Sequence, residues 1–237
     1  MFKAITFDFW DTLYKVSADI NWPRKRVNDF YDYLGNNRLL GRIELVDIEA
    51  AFEKGVQVAY DQQRKFGVEI TSLGQYEVVL AELGLSLTAD RHEELFQVYK
   101  NFILQYPPSL NANVVSTLEA IKGRYKLGLI CNTGSTPGYI LRNFMEKDKI
   151  ISYFDLLVFS DEQGCAKPSR RIFSYTLRSL QVYANETVHV GDDPLTDVIG
   201  AKKAGMRAAW LAPKDTWTVP EADYHLNDIS EIISLLR

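Results

Sequence analysis

Four aspartates and one lysine stand where they could do chemistry together. Asp8 ends the apolar run from Lys3 to Phe9 and opens the stretch Asp8-Phe9-Trp10-Asp11-Thr12-Leu13. Asp192, Asp193 and Asp197 follow a second apolar run, Thr187 to Val190. Lys167 lies in Gly164-Cys165-Ala166-Lys167-Pro168, after a third run that ends at Phe159. Asn132 and Thr133 follow a fourth, Lys126 to Cys131. If these runs are parallel neighbouring strands, the four aspartates gather at one sheet edge, where ligands of such sheets bind. Clustered carboxylates repel, and their pKa values rise unless a cation sits among them. Lys167 alone is too little positive charge. A hard divalent ion with oxygen ligands is implied, most simply Mg²⁺. A metal, a lysine, hydroxyls and loop N–H groups together suit a phosphoryl dianion.

The elements that must position these residues can be read from the pattern. The four runs are short, apolar and followed by turn residues, as buried strands are. Arg207 to Leu211 reads as a fifth. Helical patterns separate them, starting near Asn113, Pro137, Pro168 and Pro194, with Gly205 as a helix-ending glycine. Strand–helix alternation means a parallel sheet covered on both faces. Residues 15–108 break the alternation. They read as helices near 22–35, 44–66, 71–84 and 88–106, and Pro107-Pro108 marks a boundary. The fold class is therefore α/β. A Rossmann-like core (1–14 and 109–237) is interrupted after its first strand by a helical insert (15–108).

Composition narrows the function. The net charge of −4 offers no basic field for nucleic acid. No apolar run approaches the roughly 20 residues of a membrane helix. The charge within the opening apolar run speaks against a signal peptide. The only cysteines, Cys131 and Cys165, are expected as free thiols in a reducing compartment, by default the cytoplasm.

Taken in order, Asp8…Thr12, Asn132, Lys167-Pro168 and Gly191-Asp192-Asp193-Pro194-Leu195-Thr196-Asp197 resemble the haloacid dehalogenase superfamily of hydrolases. The insert looks like that family's helical cap. The resemblance implies that Asp8 is a nucleophile forming a covalent aspartyl intermediate. It implies Mg²⁺ held by Asp8, the backbone carbonyl of Trp10 and Asp192, with Asp193 and Asp197 outside them or as further ligands. Lys167 would neutralise Asp8 and the transferring group. Thr12, Asn132 and Thr133 would contact the phosphoryl oxygens. Two departures stand out. The family's phosphatases usually carry a second aspartate, as acid and base, where this chain has Trp10, so Asp11 is the substitute of doubtful reach. Cys131 stands where Ser or Thr is common.

Three readings follow: a Mg²⁺-dependent phosphatase of a small phosphorylated metabolite, a metal-independent 2-haloacid dehalogenase, and a weakly active phospholigand-binding protein. Trp10 favours the second, which would also need an arginine near the cap, with Arg38 and Arg42 in the right region. The acid-rich loop 192–197 favours the first. Blander roles exist for single residues. Aspartates of 192–197 could cap the helix at Pro194, His189 reads as a strand-face residue, and Arg24-Lys25-Arg26 as a solvated face or an anion lure. The sequence sets neither the substrate nor the oligomeric state.

Overall fold

The computed structural model describes residues 1–212 and 218–236. The chain enters through strand β1 (Ala4–Phe7) and leaves the sheet by the short strand β2 (Tyr14–Lys15). Helices α1 (Trp22–Asn36), α2 (Leu45–Phe66), α3 (Ser72–Glu82) and α4 (Ala89–Gln105) follow. Strand β3 (Ser109–Leu110) returns antiparallel to β2, pairing Leu110 with Tyr14. This two-stranded neck was invisible in the sequence, because two-residue strands carry no periodicity. The rest runs α5 (Val114–Ile121), β4 (Lys126–Cys131), α6 (Gly138–Lys147), β5 (Leu156–Phe159), α7 (Ser160–Gln163), α8 (Arg170–Leu180) and β6 (Thr187–Gly191). A π-helical stretch, Pro194–Ile199, then leads into α9 (Gly200–Lys203), β7 (Arg207–Leu211), β8 (Tyr224–Leu226) and α10 (Ile232–Leu235).

The sheet order is β5-β4-β1-β6-β7-β8, and every pairing in it is parallel. Side chains alternate across it, as a period of two requires. Leu127, Leu129 and Cys131 of β4 join Ile5, Phe7 and Val190 in one core with α5 and α6. Ile130 of the same strand joins Val158, Phe173 and Leu177 on the opposite face, under α8. Helices α1 to α4 enclose a third core around Phe30, Phe52, Tyr76 and Tyr99. Each of these helices presents apolar residues at helical spacing, and the expected spans agree with the observed ones to within two residues.

Two of the proline-opened starts differ in detail. Pro137 is the cap residue, and α6 begins at Gly138. Pro168 lies outside α8, which starts at Arg170 with Ser169 accepting from the Arg171 N–H. Ser169 is a better cap because its hydroxyl satisfies an otherwise orphaned helix N–H.

The helical insert meets the core at a tight point. Gly67, in the left-handed region at φ +63°, ends α2, and a side-chain carbon there would fall 2.4 Å from Ser169 Cβ. Its carbonyl accepts from the Ala166 N–H at 3.0 Å, and Val68 bridges to Cys165. The cap thus touches the loop that carries Lys167.

Candidate active site

Strand β1 is paired on both sides, with β4 and β6. The carboxyl ends of these three strands therefore lie side by side. Asp8 follows β1, Asn132 follows β4, and Asp192 follows β6. Lys167 comes from the loop between α7 and α8.

Lys167 is 1% exposed, and its Nζ lies 2.5 Å from Asp8 Oδ1 and 2.6 Å from Asp197 Oδ1. Asp197 Oδ1 also meets His189 Nε2 at 3.1 Å, and His189 Nδ1 meets Thr6 Oγ1 at 2.8 Å. Asp197 Oδ2 accepts the Asp193 N–H at 3.0 Å. A buried chain of contacts therefore runs from Thr6 through His189, Asp197 and Lys167 to Asp8. Gly191 makes it possible, because a side-chain carbon there would sit 2.3 Å from the Asp197 carboxyl carbon. The π-helical turn belongs to the same device. Asp193 caps it, accepting from the Leu195 and Thr196 N–H groups at 2.8 Å each, and Asp197 folds back against its start.

Oxygens of Asp8, Asp192 and Asp197 lie within 4.8 Å of one another. Burial is the first cause of their electrostatics. It raises Asp8 to about 7, with Asp197 adding to the rise and Lys167 opposing it. It raises Asp192 to about 8, with the charges of Asp8, Asp197 and Asp11 adding. Burial also works against Asp197, but Lys167 and His189 together hold its carboxyl well below the usual range. Burial opposes the charge on Lys167 as well, and its two aspartate partners more than reverse that. Asp197 is thus a committed anion paired with a committed cation. Asp8 and Asp192 are left as two carboxylates sharing too little positive charge.

The Trp10 carbonyl accepts no hydrogen bond from the described residues. Two under-compensated carboxylates, and a carbonyl two residues beyond Asp8 that no described residue engages, are hard oxygen donors of the kind Mg²⁺ takes. The donor set fits the ion. Asp193 does not belong to it, because its carboxylate is engaged as a cap and by Arg64.

The residues expected at the phosphoryl group have partners within the protein. Asn132 Oδ1 accepts from the Lys167 N–H at 2.8 Å, and its Nδ2 donates to the Lys167 carbonyl at 2.9 Å. It braces the lysine loop. Thr133 is turned to Ser160, which accepts its N–H at 2.9 Å and faces its hydroxyl at 3.3 Å. Thr12 is fully buried, and its hydroxyl has no partner among the described residues. The main-chain N–H groups of Gly134 and Ser135 have no acceptor among the described residues, so the loop offers backbone donors. Cys131 packs in the core beside α6, where burial, then the Asp8 charge, pushes its thiol well up.

Asp11 sits in the left-handed region at φ 52°, within a turn closed by its N–H to the Tyr14 carbonyl at 2.6 Å. Its carboxylate makes no hydrogen bond among the described residues, yet its charge reaches Asp192. Trp10 is half-buried and packs edge-on against Phe9. Arg38 and Arg42 lie exposed in the connection between α1 and α2. The cap arginines that do reach the core are others. Arg64 pairs with Asp193, and Arg26 donates to Ser135 Oγ at 2.7 Å. Arg64 gave no sequence signal, since it sits among charged residues at the end of a surface helix.

Comparison with known proteins agrees with this geometry. The family profile of haloacid dehalogenase-like hydrolases matches residues 2–205. The chain belongs to this family of hydrolases. A glyceraldehyde 3-phosphate phosphatase of Pyrococcus furiosus is 30% identical over 99% of this chain and 93% of its own length. A pyrimidine 5′-nucleotidase of Escherichia coli is 37% identical over 44% of this chain, and the match spans half of that protein. A crystal structure of a 2-haloacid dehalogenase from Pseudomonas syringae superposes with a TM-score of 0.75 at 24% identity, over 100% of this chain and 98% of the other. At that identity the likeness is one of fold. No helix among the described residues is long and apolar enough to cross a membrane.

Proposed function

We propose that the protein is a Mg²⁺-dependent phosphatase of small phosphorylated metabolites, working through a covalent acyl phosphate on Asp8. The observation that carries this reading is charge. Buried Asp8 and half-buried Asp192 lie close together, with a single lysine already shared with Asp197. A negatively charged carboxylic acid substrate without metal would add to that imbalance, whereas a divalent ion resolves it. Phosphatase-named relatives point the same way.

Asp8, Asp192 and the Trp10 carbonyl would hold the ion. Bound there, Mg²⁺ supplies positive charge against the phosphoryl oxygens and the nucleophile. Lys167 keeps Asp8 in place and charged. An Asp8 carboxylate oxygen bonds to phosphorus as the bond to the leaving oxygen breaks, and the leaving oxygen takes a proton. Asp11 is assigned the delivery of that proton, because its carboxylate has no hydrogen bond among the described residues and its charge reaches Asp192. Water then attacks the aspartyl phosphate at phosphorus, releasing inorganic phosphate and restoring Asp8. Asn132 and Asp197 contribute by fixing Lys167, and the Gly134 and Ser135 N–H groups face the phosphoryl oxygens.

Turnover is expected to vanish in excess chelator and to return with Mg²⁺. Ligating carboxylates must lose their protons. Because burial raises Asp8 to about 7 and Asp192 to about 8, protons compete with the ion below that range. Magnesium affinity measured by calorimetry should therefore rise from pH 6 to pH 8 and level off above. An affinity flat with pH would remove the two carboxylates as ligands. Asp11→Asn should slow hydrolysis of alkyl phosphates by about 10²–10⁴-fold, and of p-nitrophenyl phosphate, whose leaving oxygen needs no proton, far less. Equal losses on both would exclude Asp11 as the acid.

One observation favours a second reading. Trp10 occupies the position of the missing second acid, as in a dehalogenase. Halide release from 2-chloropropionate in chelator, with no phosphate release from any ester, would establish that reading. Tight phospholigand binding with no turnover at all would establish the third.

A further inference from the structure

We infer that the cleft between the cap helices and the loop after β4 is a leaving-group subsite built for a planar, hydrogen-bonding ring, as in a nucleoside monophosphate. This assignment rests on the phosphatase reading above and adds the substrate class to it. The cleft encloses about 780 Å³. Ligand pockets for whole organic molecules run roughly 300–1,000 Å³, so a two- or three-carbon leaving group would leave most of it to water. Ser135 and Thr136 form its core-side wall. They belong to the same loop as Asn132, which braces Lys167. One short loop thus borders both the carboxylate cluster and the cleft.

The walls have aromatic character. Trp22, Phe52 and Phe102 contribute from α1, α2 and α4, with Trp22 and Phe102 edge to face at 5.7 Å. Arg26 lines the cleft and is held rigidly. Its guanidinium lies 4.0 Å from the centre of the Tyr99 ring, and it donates to Ser135 Oγ and the Tyr99 carbonyl. A planar cation fixed this way is a stacking platform for a ring. Glu49 and Glu53 line the cleft without any hydrogen bond or ion pair among the described residues. They are acceptors for ring N–H groups and sugar hydroxyls, and they disfavour a second phosphate. Arg24 and Lys100 also border the cleft, so a bisphosphorylated sugar is the competing occupant.

The test compares uridine 5′-monophosphate, glycerol 3-phosphate and fructose 1,6-bisphosphate as substrates in excess Mg²⁺. The nucleotide should show at least a tenfold higher kcat/KM than either other ester. Val56→Trp places a bulky side chain in the cleft from a position that is 51% exposed, where folding is not at stake. It should raise the KM for the nucleotide and shift the ratio of nucleotide to glycerol phosphate kcat/KM at least tenfold downwards. Equal rates on the three esters, faster turnover of the bisphosphate, or an unchanged ratio in Val56→Trp would each overturn the subsite. Absence of phosphate release from all three overturns the phosphatase reading instead. In that event uridine binding, read by calorimetry, decides the cleft by itself: binding to the parent and not to Val56→Trp supports it, and no binding to the parent ends it.

Discussion

Asp8→Asn removes phosphate release from every ester, with a loss on the order of 10⁴–10⁶-fold, and leaves the fold intact. The size follows from the role. An amide oxygen is a poor nucleophile toward a phosphoryl group, and no other carboxylate can take over. Asp197 is committed to Lys167 and His189, and Asp193 to the start of the π-helical turn and to Arg64. Asp192 follows another strand and is needed as a metal donor. Asparagine keeps an acceptor oxygen for the Lys167 ammonium. It also removes a charge that burial opposes, since the Asp8 pKa rises to about 7. The sign for metal-free protein follows. The unfolded aspartate ionises near its ordinary value and the folded one only near 7. The native state thus loses stability across that interval, and the loss is complete above it. Thermal melts in chelator at pH 8 should show Asp8→Asn at least as stable as the parent. Near pH 4 the gain should disappear. A variant that retains a percent of activity, or that melts earlier at pH 8, would contradict the assignment.

Lys167→Met should be the most damaging substitution for both stability and catalysis. Its ammonium is the shared partner of two buried carboxylates. Removing one partner of a buried pair costs about 3–5 kcal/mol, because the other charge is left uncompensated. Here two are left. Asp8 and Asp197 would answer by taking up protons, so the damage should shrink as pH falls. Chemical denaturation at pH 5 and pH 8 measures this. The deficit against the parent should be larger at pH 8, and saturating Mg²⁺ should recover part of it. An equal deficit at both values would mean that Lys167 matters for packing alone. Phosphate release should be lost at either pH.

The sequence disclosed the positions of this site better than its directions. Asp8, Lys167, Asp192 and Asp197 each follow an apolar run, and in a parallel sheet such residues converge at one rim. That argument needs only element type and order. It does not tell where a side chain points from a loop. Asn132 and Thr133 stand at the right place but turn to Lys167 and Ser160, since polar groups beside buried strands must first satisfy their neighbours. Thr12 is drawn inward by the turn from Phe9 to Tyr14. His189 looked like any strand residue, and it is one. Its ring reaches Asp197 only because Gly191 and the π-helical turn bring that carboxylate back over β6. Arg64 was out of reach of any local rule, because its partner Asp193 lies 129 residues away and depends on how the cap docks.

The helical cap was legible as helices, from apolar spacing alone. Its attachment was not. The neck of β2 and β3 pairs Tyr14 with Leu110 and Lys15 with Ser109. The close approach of Gly67 to Ser169 gives the cap a second anchor beside the lysine loop. Edge strand β8 escaped notice because it is only three residues long, Tyr224–Leu226, with a polar centre.

The most direct measurement is trapping of the covalent species. The protein is mixed with a phosphomonoester carrying radiolabelled phosphate in excess Mg²⁺, quenched in acid within one turnover, and digested. Label is expected on the peptide containing Asp8, stable in acid and released by mild base or hydroxylamine, as acyl phosphates are. It should be absent in chelator and in Asp8→Asn. Steady turnover of the ester with no label on that peptide, or with label that forms equally well without the metal, would contradict it.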